Sequence, residues 1–409
     1  MAINACDSLS PSLPLSLSPL LMLPLDKDEV GHGCRLFSLK DKTALALRGF
    51  PETFSDSRCV GSSDGWLVLL DKDSEPYLLD PIRGGRVLRL PPVETFPCVL
   101  QVLRRDDDDD GRGSAAFYEA VHLKRLRTTA LLPLRTLREY IISKAVLSAS
   151  PYDQDDDEGN SCWVVAIFGS ESKLAICGSK DFGGGGAWTE LTGKHAPYSD
   201  VMFYYGTFFA LGNDGFVEVW DFNRDHPIKL MEIKSSFPQK SAEAARVLRN
   251  LCFTNTYIVE AAGEILLLVR FAGYFVNEHG VPVEEDDLLT DEDIRPLVCP
   301  YRTLYFHVYM LDMNSEEWVG LDSIGERAVF VGGSHSRSVS VRDFPEFEGN
   351  SVYFTDDNWD PAEHDDLYGG HDMGVYSLQS GKVKEICEVG SDKIEPPPFW
   401  VFPSDYPSK

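Results

Sequence analysis

Short apolar runs rich in β-branched and aromatic residues alternate with turn residues along most of the chain. Trp66–Leu70 (WLVLL), 162–168 (CWVVAIF), 217–220 (VEVW), 265–269 (ILLLV) and 305–311 (YFHVYML) are each of strand length. Their Val, Ile, Phe, Tyr and Trp content suits a pleated surface. Between the runs stand Asp64-Gly65, Gly84-Gly85 and Asn213-Asp214-Gly215, where positive φ is easily reached and hairpins turn. One stretch, about 122–144, carries a helical pattern, and Pro133 would interrupt it. The chain is therefore read as all-β.

The strands also repeat. An apolar strand, a turn, a second strand often ending in apolar-Asp, another turn and a third strand read WLVLL–PYLLDP–RVLRLP from Trp66. The unit recurs as CWVVAIF–KLAICGS–AWTEL from Cys162, FFALG–FVEVWDF–PIKLMEI from Phe208 and ILLLVRF–FHVYMLDM–EWVGLDSI from Ile265. VYFTDD–GVYSLQS–KVKEI from Val352 is a fifth copy, and LLMLPLD, RLFSLKD and TALALRG between Leu20 and Gly49 make a sixth. Units of about 40–60 residues, each a four-stranded antiparallel meander, are the signature of propeller blades. The expectation is a single β-propeller of six blades, with seven as the alternative count and a pair of β-sandwiches as the alternative fold. Pairing of FWVF at 399–402 with the first strands would close the ring and remove its sheet edges.

Composition narrows the function classes. The chain has 409 residues, 43% of them hydrophobic, enough to bury a core. Its 38 Lys+Arg against 65 Asp+Glu give a net charge of −27, which argues against nucleic acid and anionic membrane surfaces as partners. The nine cysteines are odd in number and form no C-x-x-C pair, so they read as reduced thiols in a cytoplasmic or nuclear protein, without a zinc site. The apolar 13–25 segment lacks a basic flank and is broken by Pro14, Pro19 and Pro24, unlike a signal peptide. No window reaches the roughly 18 consecutive apolar residues of a membrane helix.

Several ordered motifs carry a resemblance. At 59–92 the chain reads CVGSSDGWLVLLDKDSEPYLLDPIRGGRVLRLPP. Gly61, Ser62, Ser63, Gly65 and Trp66, then Asp80 and Pro81, then Leu90-Pro91-Pro92, resemble the plant KIB-type β-propeller family, a domain of unknown function that often follows an F-box. Asp80 stands where that family more usually has Asn. Further along, Gly325-Glu326-Arg327-Ala328, Asp343-Phe344-Pro345, Asp356-Asp357, Asp372-Met373-Gly374-Val375 and the closing Pro398-Phe399-Trp400-Val401 match as well. The resemblance implies a propeller domain over 19–403, with insertions near 104–140, 152–160 and 279–300, between a flexible segment 1–18 and a tail 404–409. It also implies a link to substrate recognition by F-box ubiquitin-ligase subunits, so ligase components are candidate partners. Too few residues precede Pro19 for a three-helix F-box, so a propeller without one is expected.

No catalytic constellation is recognisable. Gly61–Gly65 satisfies G-x-S-x-G, but a strand follows at Trp66 where a nucleophile elbow needs a helix, so a hairpin turn is read instead. Gly183–Gly186 lacks the Gly-Lys-Ser/Thr of a phosphate loop and reads as a blade turn. His364, Asp365, Asp366, His371 and Asp372 show no regular ligand spacing, and a solvated loop is preferred to a metal site. No cofactor is expected. The basic cluster Lys124, Arg125, Arg127, Arg135 and Arg138 is expected to pair locally with Asp106–Asp110. The tryptophans mostly fall on strands and read as inter-blade core. Trp359, flanked by Asp357 and Asp360, is the exception and the leading exposed recognition aromatic, while Leu288 and Leu289 sit inside a second acidic loop that would suit a basic partner.

The resulting expectation is a non-catalytic protein-interaction module with an unidentified protein partner and an open oligomeric state. The alternatives are a stand-alone decoy binder of the family's targets, and an enzyme or small-ligand binder using the propeller channel.

Overall fold

The apolar runs are continuous rather than alternating because most of these strands are buried on both faces: Trp66–Leu70 and Trp163–Phe168 are covered at every position. Each run pairs with its sequence neighbours into a radial sheet. The structure, a computed structural model, describes residues 18–25, 31–83, 85–104, 119–125, 128–151, 162–224, 226–284, 287, 301–357, 369–387, 393–394 and 396–403.

Six blades form a ring. From the channel outward, blade II is Arg58–Ser63, Trp66–Leu70, Pro76–Asp80 and Arg86–Arg89. Blade III is Ile142–Leu147, Trp163–Phe168, Lys173–Gly178 and Thr189–Leu191, and blade IV is Tyr198–Tyr204, Thr207–Gly212, Val217–Asp221 and Ile228–Ile233. Blade V is Cys252–Ala261, Glu264–Gly273, Arg302–Asp312 and Glu317–Leu321. Blade I joins both ends of the chain: Phe399–Val401 lies innermost, then Leu20–Pro24, Gly33–Ser38 and Thr43–Arg48, with Leu21 opposite Trp400. Ring closure by terminal pairing is thus observed.

Blade VI departs from the pattern. Its innermost strand, Arg337–Ser340, is separated from Ser351–Phe354 by an added strand, Arg327–Val331, before Gly374–Ser377 and Lys382–Lys384 complete the sheet. Arg327–Val331 is antiparallel to the innermost strand and parallel to Ser351–Phe354.

A three-stranded sheet (Val99–Arg104, Glu119–Arg125, Thr128–Pro133) lies in the connection from blade II to blade III. It is not a seventh blade, because the inner strands of blades II and III touch directly. A Cβ at Gly61 would stand 2.0 Å from the Ala145 carbonyl oxygen, and Ser63 Oγ donates to Leu147 O. This sheet corrects the helical expectation for 122–144. The Thr-rich TTALLP run favours a strand, Pro133 ends it, and a helix survives over Leu134–Leu137 alone. The longer helix, Gln239–Val247, follows Pro238 in the link from blade IV to blade V.

The core is distributed. Among the described residues six apolar clusters appear, one at each blade interface, as six closed blades require. Trp66 and Trp188 fill the II–III interface, Trp163 and Trp220 the III–IV interface, and Trp400 the VI–I interface. Trp188 stacks on Phe96 at 4.6 Å and donates its indole N–H to Pro91 O, so the Leu-Pro-Pro strand end is an anchor.

Candidate interaction site

Antiparallel alternation assigns the loops to faces. The inner strands begin on one face of the ring, and the connections from second to third strand emerge on that same face. Long connections there are 274–301 in blade V and 355–373 in blade VI.

Inner strands line the channel and, apart from Phe399–Val401, mix polar with apolar residues, because their channel sides meet water and one another's backbones. Lys144 Nζ reaches Asp200 Oδ1 at 2.6 Å across blades III and IV, and both residues are buried. Asp200 also accepts from the backbone N–H of Val201 and of Ile258 in blade V, which ties three blades together. Burial pushes the Asp200 carboxyl up, against the pull of Lys144 and these donors. The segment 332–336 crosses towards the other side: His335 N donates to Ser62 O, its ring lies 3.4 Å from Ser63 Oγ, and Ser336 Oγ lies 3.4 Å from Asp200 Oδ2. Desolvation, helped by Lys144 and Arg337, pushes the His335 imidazole down to about 3.

The roots of the two long connections meet in one polar knot. Arg270, on the second strand of blade V, is 2% exposed and sits 4.8 Å over the Phe354 ring. Its guanidinium donates to Asp357 Oδ1 at 2.8 Å, to Asp372 Oδ2 at 2.8 Å, to Thr303 Oγ1 at 2.7 Å and to Tyr257 Oη at 3.1 Å. Tyr257 in turn donates to Asp357 Oδ2, and Asn255 Nδ2 to Asp357 Oδ1. Thr303 N donates to Asp372 Oδ1, and Tyr301 Oη to Asp356 Oδ2 at 2.6 Å. Residues 301–303 close the blade V connection, while 356–357 and 372 bracket that of blade VI.

Beside the knot opens a cavity of about 580 Å³. Ser143 and Lys144 of blade III, Ser199 of blade IV and Thr254–Tyr257 of blade V contribute, with Gly332, Gly333 and Asp357 from blade VI.

Of the candidate recognition residues, Asp357 lies at this cavity with its carboxylate engaged by Arg270, Tyr257 and Asn255. Trp359, Asp360, Leu288 and Leu289 lie outside the described residues, as do His364, Asp365, Asp366, Arg127 and the Asp106–Asp110 run. The motif residues have structural tasks. Asp64 and Gly65 turn the hairpin with φ of 49° and 82°, so G-x-S-x-G is a β-turn here. Asp80 Oδ1 accepts from the N–H groups of Ile82 and Arg83 around Pro81, a task an Asn carbonyl performs equally. A Cβ at Gly374 would meet Lys384 O at 2.8 Å. Ser62, Ser63 and Asp356 are buried, and Trp400 packs edge-on against Phe330.

Sequence reasoning passed over Arg270, Lys144 and Asp200. Arg270 interrupts the apolar run ILLLVRF, and a lone cation in a doubly buried strand demands a counter-ion. One trio among the described residues comes within metal-ligand range, His195, Glu218 and Glu232. Lys229 Nζ already stands 2.7 Å from Glu218 and 2.5 Å from Glu232, so an ammonium serves as their cation.

Comparison with known proteins now places the chain. Residues 36–377 match the KIB1-4 beta-propeller family, and the chain belongs to that family. The F-box protein SKIP23 of Arabidopsis thaliana is 26% identical over 353 residues, covering 84% of this chain and 75% of its own length. The putative F-box protein At5g55150 of Arabidopsis thaliana is 25% identical over 287 residues, covering 69% of this chain and 66% of its own length. Among solved structures, the Cps50 (Swd1) beta-propeller domain of Myceliophteria thermophila covers 90% of this chain and 81% of its own, at 11% identity and a TM-score of 0.30, too low to carry an argument.

Proposed function

We propose that the chain is a non-catalytic protein-recognition propeller whose receptor surface is the face where the inner strands begin. The observation that carries this reading is that both acidic candidate loops, the one with Leu288 and Leu289 and the one with Trp359 and Asp360, are rooted in the same Arg270 knot at the rim of the channel cavity. A rigid ring that holds two loop roots together displays their contents to one partner. The net charge of −27 suits a partner with a basic surface. The F-box relatives support a place in ubiquitin-ligase substrate recognition, with ligase components among the partners and a cytoplasmic or nuclear setting.

Proximity labelling with the full chain, beside a variant carrying Trp359→Ala, Leu288→Ala and Leu289→Ala, tests this. Proteins enriched by the parent and lost in the variant, at unchanged Tm, are the expected result. An identical set from both chains overturns the assignment of these loops. Ligase adaptors within the set separate the receptor reading from that of a stand-alone decoy, which captures targets without them.

A further inference from the structure

The cavity holds more hydrogen-bonding capacity than the protein uses. The side chains of Ser172, Asn213, Thr254 and Thr256 all line it, and among the described residues none of the four makes a hydrogen bond within the protein. The cavity's charges are spent. Lys144 is held by Asp200 at 2.6 Å, and Asp357 by Arg270 at 2.8 Å. A charged ligand would have to compete with those buried pairs, whereas three hydroxyls and a carboxamide are free to donate and accept. The lining is about equally polar and apolar, with the partly exposed Phe237 ring as its main free aromatic surface. Gly332 and Gly333 complete the wall, and neither has room for a side chain: a Cβ would fall 2.1 Å from Thr355 Oγ1 and 2.9 Å from the Phe399 ring respectively.

We infer that this cavity binds a small, neutral, polyhydroxylated ligand of the pyranose or cyclitol class. Such a ring offers a C–H face for Phe237 and a rim of hydroxyls for Ser172, Asn213, Thr254 and Thr256. A volume of about 580 Å³ falls in the range of small-molecule sites, roughly 300–1,000 Å³, and admits one or two such rings. The unpaired hydroxyls supply selectivity, since a ligand that displaces their water without replacing its hydrogen bonds loses affinity. This inference does not rest on the loop-borne protein recognition proposed above, although the two sites share a rim at Asp357.

Saturation-transfer NMR on the full chain with glucose, galactose, cellobiose and myo-inositol is the test, with cyclohexanol and glucuronate as comparators. The expected result is saturable transfer to at least one neutral polyol. The double variant Thr254→Val, Thr256→Val, which removes two hydroxyls at nearly constant shape, should weaken it about tenfold, two neutral hydrogen bonds' worth. The variant's Tm should match the parent's. No transfer to any of the four, undiminished binding in a folded double variant, or preference for cyclohexanol or glucuronate would each overturn the inference. If the double variant does not fold, Asn213→Ala, on the exposed turn of blade IV, replaces it with the same expectation.

Discussion

Blades III and VI both pack on apolar clusters and differ in the architecture of their sheets and in the buried polar network at their edges. Blade III is a plain four-stranded meander whose second strand, Trp163–Phe168, is apolar and buried throughout. Blade VI carries an added strand with a parallel pairing, and its junction with blade V adds to the apolar cluster the buried Arg270 with the carboxylates of Asp357 and Asp372. Apolar contacts are non-directional, so blade III tolerates repacking. An ion knot is directional and intolerant of a missing partner, so blade VI gains a fixed geometry for its loop roots and a single point of failure.

Breaking each blade at its own kind of contact separates the two strategies. Arg270→Ala leaves Asp357 and Asp372 without their cation and should cost about 3–5 kcal/mol in chemical denaturation. Arg270→Lys keeps the charge without the fork and should fall between that variant and the parent. A loss below about 1 kcal/mol for Arg270→Ala would show that the knot contributes little. Leu174→Ala at the III–IV interface, a cavity in fully covered apolar core, should cost about 2–4 kcal/mol. Asp80→Ala in blade II removes a turn acceptor and should cost about 1 kcal/mol, while Asp80→Asn stays close to the parent in the same assay.

The His335 effect is smaller and visible in pH dependence. Its folded-state pKa is depressed to about 3, whereas an unfolded His titrates near 6.5, so its contribution is present above about 6.5 and lost as pH falls towards 3. A His335→Gln variant should therefore lose less stability than the parent between those pH values, measured as denaturation midpoints. Parallel curves would show that His335 is not desolvated in solution. Smallest of all, Glu326→Gln, which breaks an exposed pair with Arg342, should shift stability by no more than about 0.5 kcal/mol.

What the sequence disclosed followed burial. The six repeats located the three outer strands of every blade: the middle ones because strands covered on both faces write continuous apolar runs, the exposed outermost ones by their place after the next turn. Apart from Phe399–Val401, inner strands escaped notice because they face the channel: RCVGSS at Arg58–Ser63 and ISKAVL at Ile142–Leu147 mix polar and apolar residues without a long run. The added strand of blade VI was equally silent, since Arg327–Val331 reads like any short strand and its parallel pairing depends on where the chain returns. Helix Gln239–Val247 had a local signal in Pro238 followed by an Ala-rich segment. At the site, Asp357 was singled out as a recognition residue. Its partner Arg270 was hidden in an apolar run, and Lys144 and Asp200 are distant in sequence.

Closure of blade I places a condition on the order of synthesis. Among the described strands of the ring Leu20–Pro24 is the first to leave the ribosome, as an apolar strand, yet the strand that covers its inner edge, Phe399–Val401, is the last. Blades II to V can each assemble from contiguous chain as it appears, while the first sheet waits unfinished until Phe399–Val401 follows. A product that stalls or ends before Phe399 therefore exposes an adhesive edge on Leu20–Pro24, and the arrival of Phe399–Val401 is what conceals it.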